Sequence, residues 1–230
     1  MKIEILYPEI CTLYGDKGNT MYLQKCLPDA EFVTTGLNEK PLFLKENIDM
    51  VYMCSMSEKS QELVLDRLMQ YKDEIAACMK DGKALFLLVG NSMELLGDYI
   101  KREDGTRVTG LGVVPGMYSV RQAPNRFNTL IKAKFNDMTL IGYTSRFAHT
   151  YGIPDDMTFC KVEIGQGSNP DTMNEGICKN RVIATYIHGP LLIQNPDFVH
   201  YLLEKLDAPM KEIPFEAAMR KAYDLSLIHI

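Results

Sequence analysis

ALFLLVGNSMELLGDYI, residues 84–100, reads as an apolar strand, a tight turn at Gly90-Asn91-Ser92, and an amphipathic helix over 92–101. Its first six residues are apolar without polar alternation, which suits a strand covered on both faces, as in the middle of a parallel sheet. Many enzymes present a nucleophile on such a strand–turn–helix unit, with the elbow residue in a strained conformation and small neighbours beside it. Two registers fit here. With Ser92 at the elbow, Glu94 falls two residues on, where close backbone approach demands a small side chain. With Gly90 at the elbow, Asn91 and Ser92 follow, glycine tolerates the dihedrals at little steric cost, and no nucleophile remains.

Working outward, apolar runs at 2–7 (KIEILY) and 48–54 (IDMVYMC) alternate with helical patterns at 19–27, 58–80 and 92–101. Alternating strand and helix implies parallel pairing through crossovers. Gly82 stands at the C-cap of the long helix, ahead of the strand at 84–89. The second half changes character: short β-rich segments at 117–121, 129–134, 138–143, 159–164 and 181–187 are separated by Gly, Asn, Asp and Pro turns, and 196–206 closes as a helix. The pattern predicts an α/β fold, a flavodoxin-like doubly wound, mostly parallel sheet with an antiparallel extension that feeds the last strand back to it. Ligands in such sheets bind beyond the carboxyl ends of the strands, here after Tyr7, Cys54, Val89 and Ile187.

At 230 residues the chain has room for one large core. Residues 1–224 are expected to form a single domain. Leu225–Ile230 (LSLIHI) match the translation of a transposon-type sequencing adapter, so they are read as appended sequence and set aside together with His229. The N-terminus lacks a secretory pattern and no apolar run approaches membrane-spanning length, so a soluble, cytoplasmic protein is expected. Cys11, Cys26, Cys54, Cys78, Cys160 and Cys178 form no C-x-x-C pair, so free thiols are expected, with neither a zinc site nor a disulfide framework. A net charge of −5 without a basic stripe argues against nucleic acid.

Five stretches carry a family likeness: LYPEICTLYGDKGN at 6–19, LLG at 95–97, GQGSN at 165–169, NEG at 174–176 and ATYIHGPLLIQNP at 184–196. Together they resemble the glutamine amidotransferase-like proteins of the cobyric acid synthase group, over about residues 3–206. The resemblance implies a Cys/His pair that releases ammonia from glutamine for a Mur-ligase-like synthase partner in a heterodimer that amidates the peptidoglycan precursor lipid II, with no metal or other cofactor. It places the family cysteine on Gly90, retains the base as His188, and puts substrate-binding positions at Arg126 and Asn91. The loop resembling an oxyanion-hole turn is here Cys54-Ser55-Met56-Ser57-Glu58, and a Gly-Phe-Glu-Asn-His segment has become Gly142-Tyr143-Thr144-Ser145-Arg146.

Amide hydrolysis through an acyl-enzyme needs a nucleophile beside a base, and a glycine cannot form the acyl bond. Loss of even one oxyanion donor costs about 10²–10³ in rate. The favoured reading is therefore an amidotransferase-like subunit without glutaminase activity. Two alternatives stand beside it: an active glutaminase using Cys54 or Ser92 with His188, and a noncatalytic sensor holding glutamine or another amino acid through Arg126. Gly15-Asp16-Lys17-Gly18-Asn19 lacks the ending of a P-loop and reads as a structural strand-to-helix turn. His149 and His200 read as a loop and a helix-surface histidine.

Overall fold

A computed structural model describes residues 1–230. In the first half, strands β1 (Lys2–Leu6), β2 (Glu31–Thr35), β3 (Met50–Met53) and β4 (Leu85–Val89) alternate with helices α1 (Lys17–Cys26), α2 (Glu58–Met69) and α3 (Lys72–Asp81). Every residue of β3 and β4 is buried, as expected for inner strands of a parallel sheet. The 58–80 pattern is two helices, not one. Ser57 caps the first through Ser60 N–H at 3.1 Å, the chain breaks at Gln70-Tyr71, and the second ends on Gly82 at φ +66°.

The chain continues through β5 (Tyr99–Lys101), β6 (Arg107–Thr109), β7 (Tyr118–Arg121), β8 (Phe127–Phe135), β9 (Met138–Arg146), β10 (Ala148–Tyr151), β11 (Thr158–Ile164), β12 (Asn174–Lys179) and β13 (Val182–Thr185). The main sheet has the order β2-β1-β3-β4-β13-β12-β11-β8-β9. Its first five members pair in parallel and the last four are added antiparallel, so β13 returns beside β4 as the sequence implied. Helices α4 (Leu191–Gln194), α5 (Pro196–Lys205) and α6 (Glu216–His229) close the chain, and residues 225–229 continue α6 with Leu225 and Ile228 exposed.

Other features also depart from the sequence reading. The helix expected at 92–101 is a short, tightly wound segment over Gly90–Leu96 followed by β5. Six of its seven residues are buried, so it has no solvent face to sustain a longer amphipathic helix. Gly97 is extended, and Asp98 N–H bonds Met117 O at 2.7 Å, which turns the chain into a second sheet, β10-β7-β5-β6. Strands β5, β6, β10 and β12 were not foreseen, nor was β2. It is an edge strand with a largely solvated pattern, and it carries no apolar run. His149 lies buried on β10 against Phe127, not in a loop, whereas His200 is on α5, half-buried and paired with Glu216 at 3.2 Å.

Buried Glu4 on β1 fixes the loop after β2. Its carboxylate accepts from Leu42 N–H at 2.7 Å, Phe43 N–H at 2.8 Å and the Thr35 hydroxyl. This satisfies backbone donors that the covered loop otherwise leaves unpaired.

Candidate active site

The carboxyl ends of β1, β3, β4 and β13 converge. Asp16 opens α1 after β1, Ser55 follows β3, Gly90 follows β4, and His188 lies just beyond β13. Gly90 has φ +71°, the left-handed geometry expected of an elbow residue and one that glycine adopts freely. No side chain projects from it. Helix α1 directs its positive N-terminal end toward Asp16, which favours a carboxylate there.

The imidazole of His188 is held at Nδ1 and flanked by two aromatic rings. Asp16 Oδ2 lies 3.0 Å from His188 Nδ1 and 2.8 Å from Ser55 Oγ, and Ser55 Oγ lies 3.1 Å from the same Nδ1. Asp16 and His188 are 0% and 1% exposed. A buried carboxylate accepts, so both the Ser55 hydroxyl and the Nδ1–H donate to Asp16. That assignment leaves no basic nitrogen facing Ser55. The three groups form a compact triangle on the Nδ1 side of the ring, with Ser55 on the same nitrogen as Asp16, unlike a relay in which the carboxylate and the nucleophile use opposite ring nitrogens. Tyr14 and Tyr143 cover the ring, with centroids 4.7 and 5.7 Å away. The His188 backbone is fastened to β9 by His188 N–H to Tyr143 O at 2.8 Å.

The loop after β3 is tied to the elbow. Asn91 Oδ1 accepts from Met56 N–H at 3.0 Å, Asn91 Nδ2 donates to Met56 O at 2.8 Å, and Gln61 Nε2 donates to Asn91 O at 2.7 Å. The side-chain amide of Asn91, read as a substrate contact, thus ties the elbow to the loop after β3. The Met56 N–H, in the loop that resembles an oxyanion turn, is spent in the same tie. Cys54 donates its thiol to the Cys11 carbonyl, and burial pushes that thiol far above the ordinary range. Ser92 bonds Val89 O at 2.8 Å and Met53 O at 3.3 Å. Neither makes a hydrogen bond to His188.

Arg126 is not brought to this cluster. It is exposed, with its guanidinium 4.4 Å from the centre of the Phe147 ring. Glu94, four residues past Gly90, is fully engaged instead. It accepts from Gln61 Nε2 at 3.0 Å and from Tyr186 O–H at 2.9 Å, and burial raises its carboxyl above the usual range. Sequence reasoning missed Asp16, Tyr14 and Tyr143. The only signal for Asp16 was an acidic residue at a strand-to-helix turn that faces the crevice.

A model of the CobB/CobQ-like glutamine amidotransferase domain matches residues 2–196. The chain belongs to this family. Among curated relatives of this amidotransferase-like domain are two proteins described as GatD, a subunit of the glutamine-hydrolysing lipid II isoglutaminyl synthase. The one from Streptococcus pneumoniae is 27% identical over 207 residues, covering 88% of this chain and 79% of the relative. The one from Staphylococcus aureus is 28% identical over 207 residues, covering 89% and 83%. Solved structures agree on the fold. A glutamine amidotransferase superposes with a TM-score of 0.57 at 12% identity, covering 89% of this chain and 98% of its own. PurLQS from Thermotoga maritima gives 0.55 at 12% identity, covering 81% and 86%. No helix of this amidotransferase-like domain is long and apolar enough to cross a membrane.

Proposed function

We propose that this chain is a noncatalytic glutamine amidotransferase-like subunit that docks on a Mur-ligase-like synthase in the amidation of lipid II. In this role it stabilises the partner or shapes its ammonia entrance, and the ammonia itself comes from solution or from another glutaminase. One observation carries the reading: the residue at the elbow is Gly90, so that turn carries no nucleophilic atom for the His188 base beside it. An acyl-enzyme has no atom on which to form. An apolar groove of about 560 Å³ between α1, α4 and α6, edged by the exposed Met21, Ile193 and Phe215, offers a partner a place to dock.

The alternatives gain less from the geometry. Cys54 and Ser92 are turned into backbone carbonyls, and Arg126 stacks on Phe147 at the surface. Residues 225–230 lie outside the cluster around His188, although Ser226 lines the groove. Co-expression with the synthase tests the reading. The complex is expected to amidate its acceptor with ammonium chloride and not with glutamine. Amidation driven by glutamine, with no other glutaminase present, would overturn it.

A further inference from the structure

We infer that Ser55 and Gly90 are a coupled pair: the Ser55 hydroxyl stands where a side chain at position 90 must go, so the site is closed at two positions. This deepens the reading of a noncatalytic site and rests on it. A Cβ built on Gly90 overlaps Ser55 Oγ and lies 2.5 Å from His188 Cε1 and 2.9 Å from Ser55 Cβ. Contacts below 3.0 Å are ones real Cβ atoms essentially never show, so something must move.

Neither neighbour yields easily. Turning the Ser55 side chain away breaks its 2.8 Å hydrogen bond to Asp16 and takes a buried hydroxyl from its acceptor. Its backbone is held in turn, with Leu13 N–H donating to Ser55 O at 3.2 Å. The His188 ring is fixed by Asp16, Tyr14 and Tyr143. Replacing Ser55 by glycine removes two of the three clashes. The third is with the edge of a ring that loses one of its Nδ1 contacts in the same step. A thiol regained at position 90 alone therefore meets a filled site, while a thiol regained together with S55G sits beside the imidazole.

A double-mutant cycle tests the pair through thermal denaturation of wild type, G90A, S55G and G90A/S55G. The strain of a side chain at φ +71° is common to both backgrounds and cancels. G90A is expected to lower Tm by at least about 4 °C more when Ser55 is present than in the S55G background. Additive shifts would overturn the inference. Alkylation provides a readout independent of Tm. Iodoacetamide at neutral pH, followed by peptide mapping, should modify the introduced thiol of G90C/S55G at least about tenfold faster than that of G90C, as a thiolate paired with an imidazole requires. Equal rates, with G90C keeping the wild-type Tm, would contradict the coupling. Glutamine hydrolysis by the unaltered protein would instead sink the noncatalytic reading, and the cycle would still report on the pair.

Discussion

Asp16 is the residue on which the closed site turns, and D16A measures what that closure contributes. Its carboxylate accepts two hydrogen bonds, from Ser55 at 2.8 Å and from His188 at 3.0 Å, in a place with no solvent exposure. Hydrogen bonds to a charged group contribute about 1.5–3 kcal/mol each, so removing both costs about 3–6 kcal/mol. Part of this is returned, because Asp16 Oδ1 is buried without a partner and its removal relieves about 1–3 kcal/mol of unsatisfied desolvation. The net loss is about 3 kcal/mol. For a chain of this size, that corresponds to a Tm lower by about 6–12 °C. D16N keeps one acceptor oxygen for the two donors, so its Tm should fall between those of D16A and wild type. Calorimetric or circular-dichroism melting at neutral pH decides. A D16A melting temperature within about 2 °C of wild type would refute the triangle as a stabilising element.

The remaining predictions concern titrating groups and thiols. Burial raises the Glu94 carboxyl above its unfolded value, so its contribution is fully present below the unfolded pKa and is lost as pH rises through the folded one. E94Q should therefore gain Tm relative to wild type as pH is raised from about 5 to about 8, and a constant difference would contradict this. Glu62 is held down at about 2, first by its hydrogen bond from Arg102 and then by that from Arg121. Its stabilisation is present above the unfolded pKa and disappears as pH falls from that value toward about 2, so urea midpoints of E62Q should change less over that range than those of wild type. Native Cys54, buried and with its thiol pushed up, should resist iodoacetamide at mildly alkaline pH until the protein unfolds. Rapid native alkylation at Cys54 would revive it as a nucleophile.

Much of the frame was legible because inner strands of a parallel sheet must be apolar on both faces. The runs at 2–7, 48–54 and 84–89 announce themselves in this way, and the turn signals after 117 mark β8, β9 and β11 but not β12. Strand β2 escaped because an edge strand needs no such run, and the short segment at 90–96 escaped because burial on all sides leaves no period to read. The elbow and His188 were legible from local motifs. The closure was not: Ser55 and His188 meet across 133 positions and Asp16 and His188 across 172, contacts that no local pattern encodes. Ser55 was placed in the correct loop, but its hydroxyl reads there as a loop residue and not as the group that fills the crevice. Arg126, assigned to substrate by likeness, stacks on Phe147 in the exposed connection between β7 and β8.

The most direct measurement is ammonia release from glutamine by the purified protein, alone and with the proposed synthase partner, beside the H188A variant. The account predicts no glutamine-dependent ammonia above the no-protein control for either protein. Robust turnover by wild type that vanishes in H188A would contradict it.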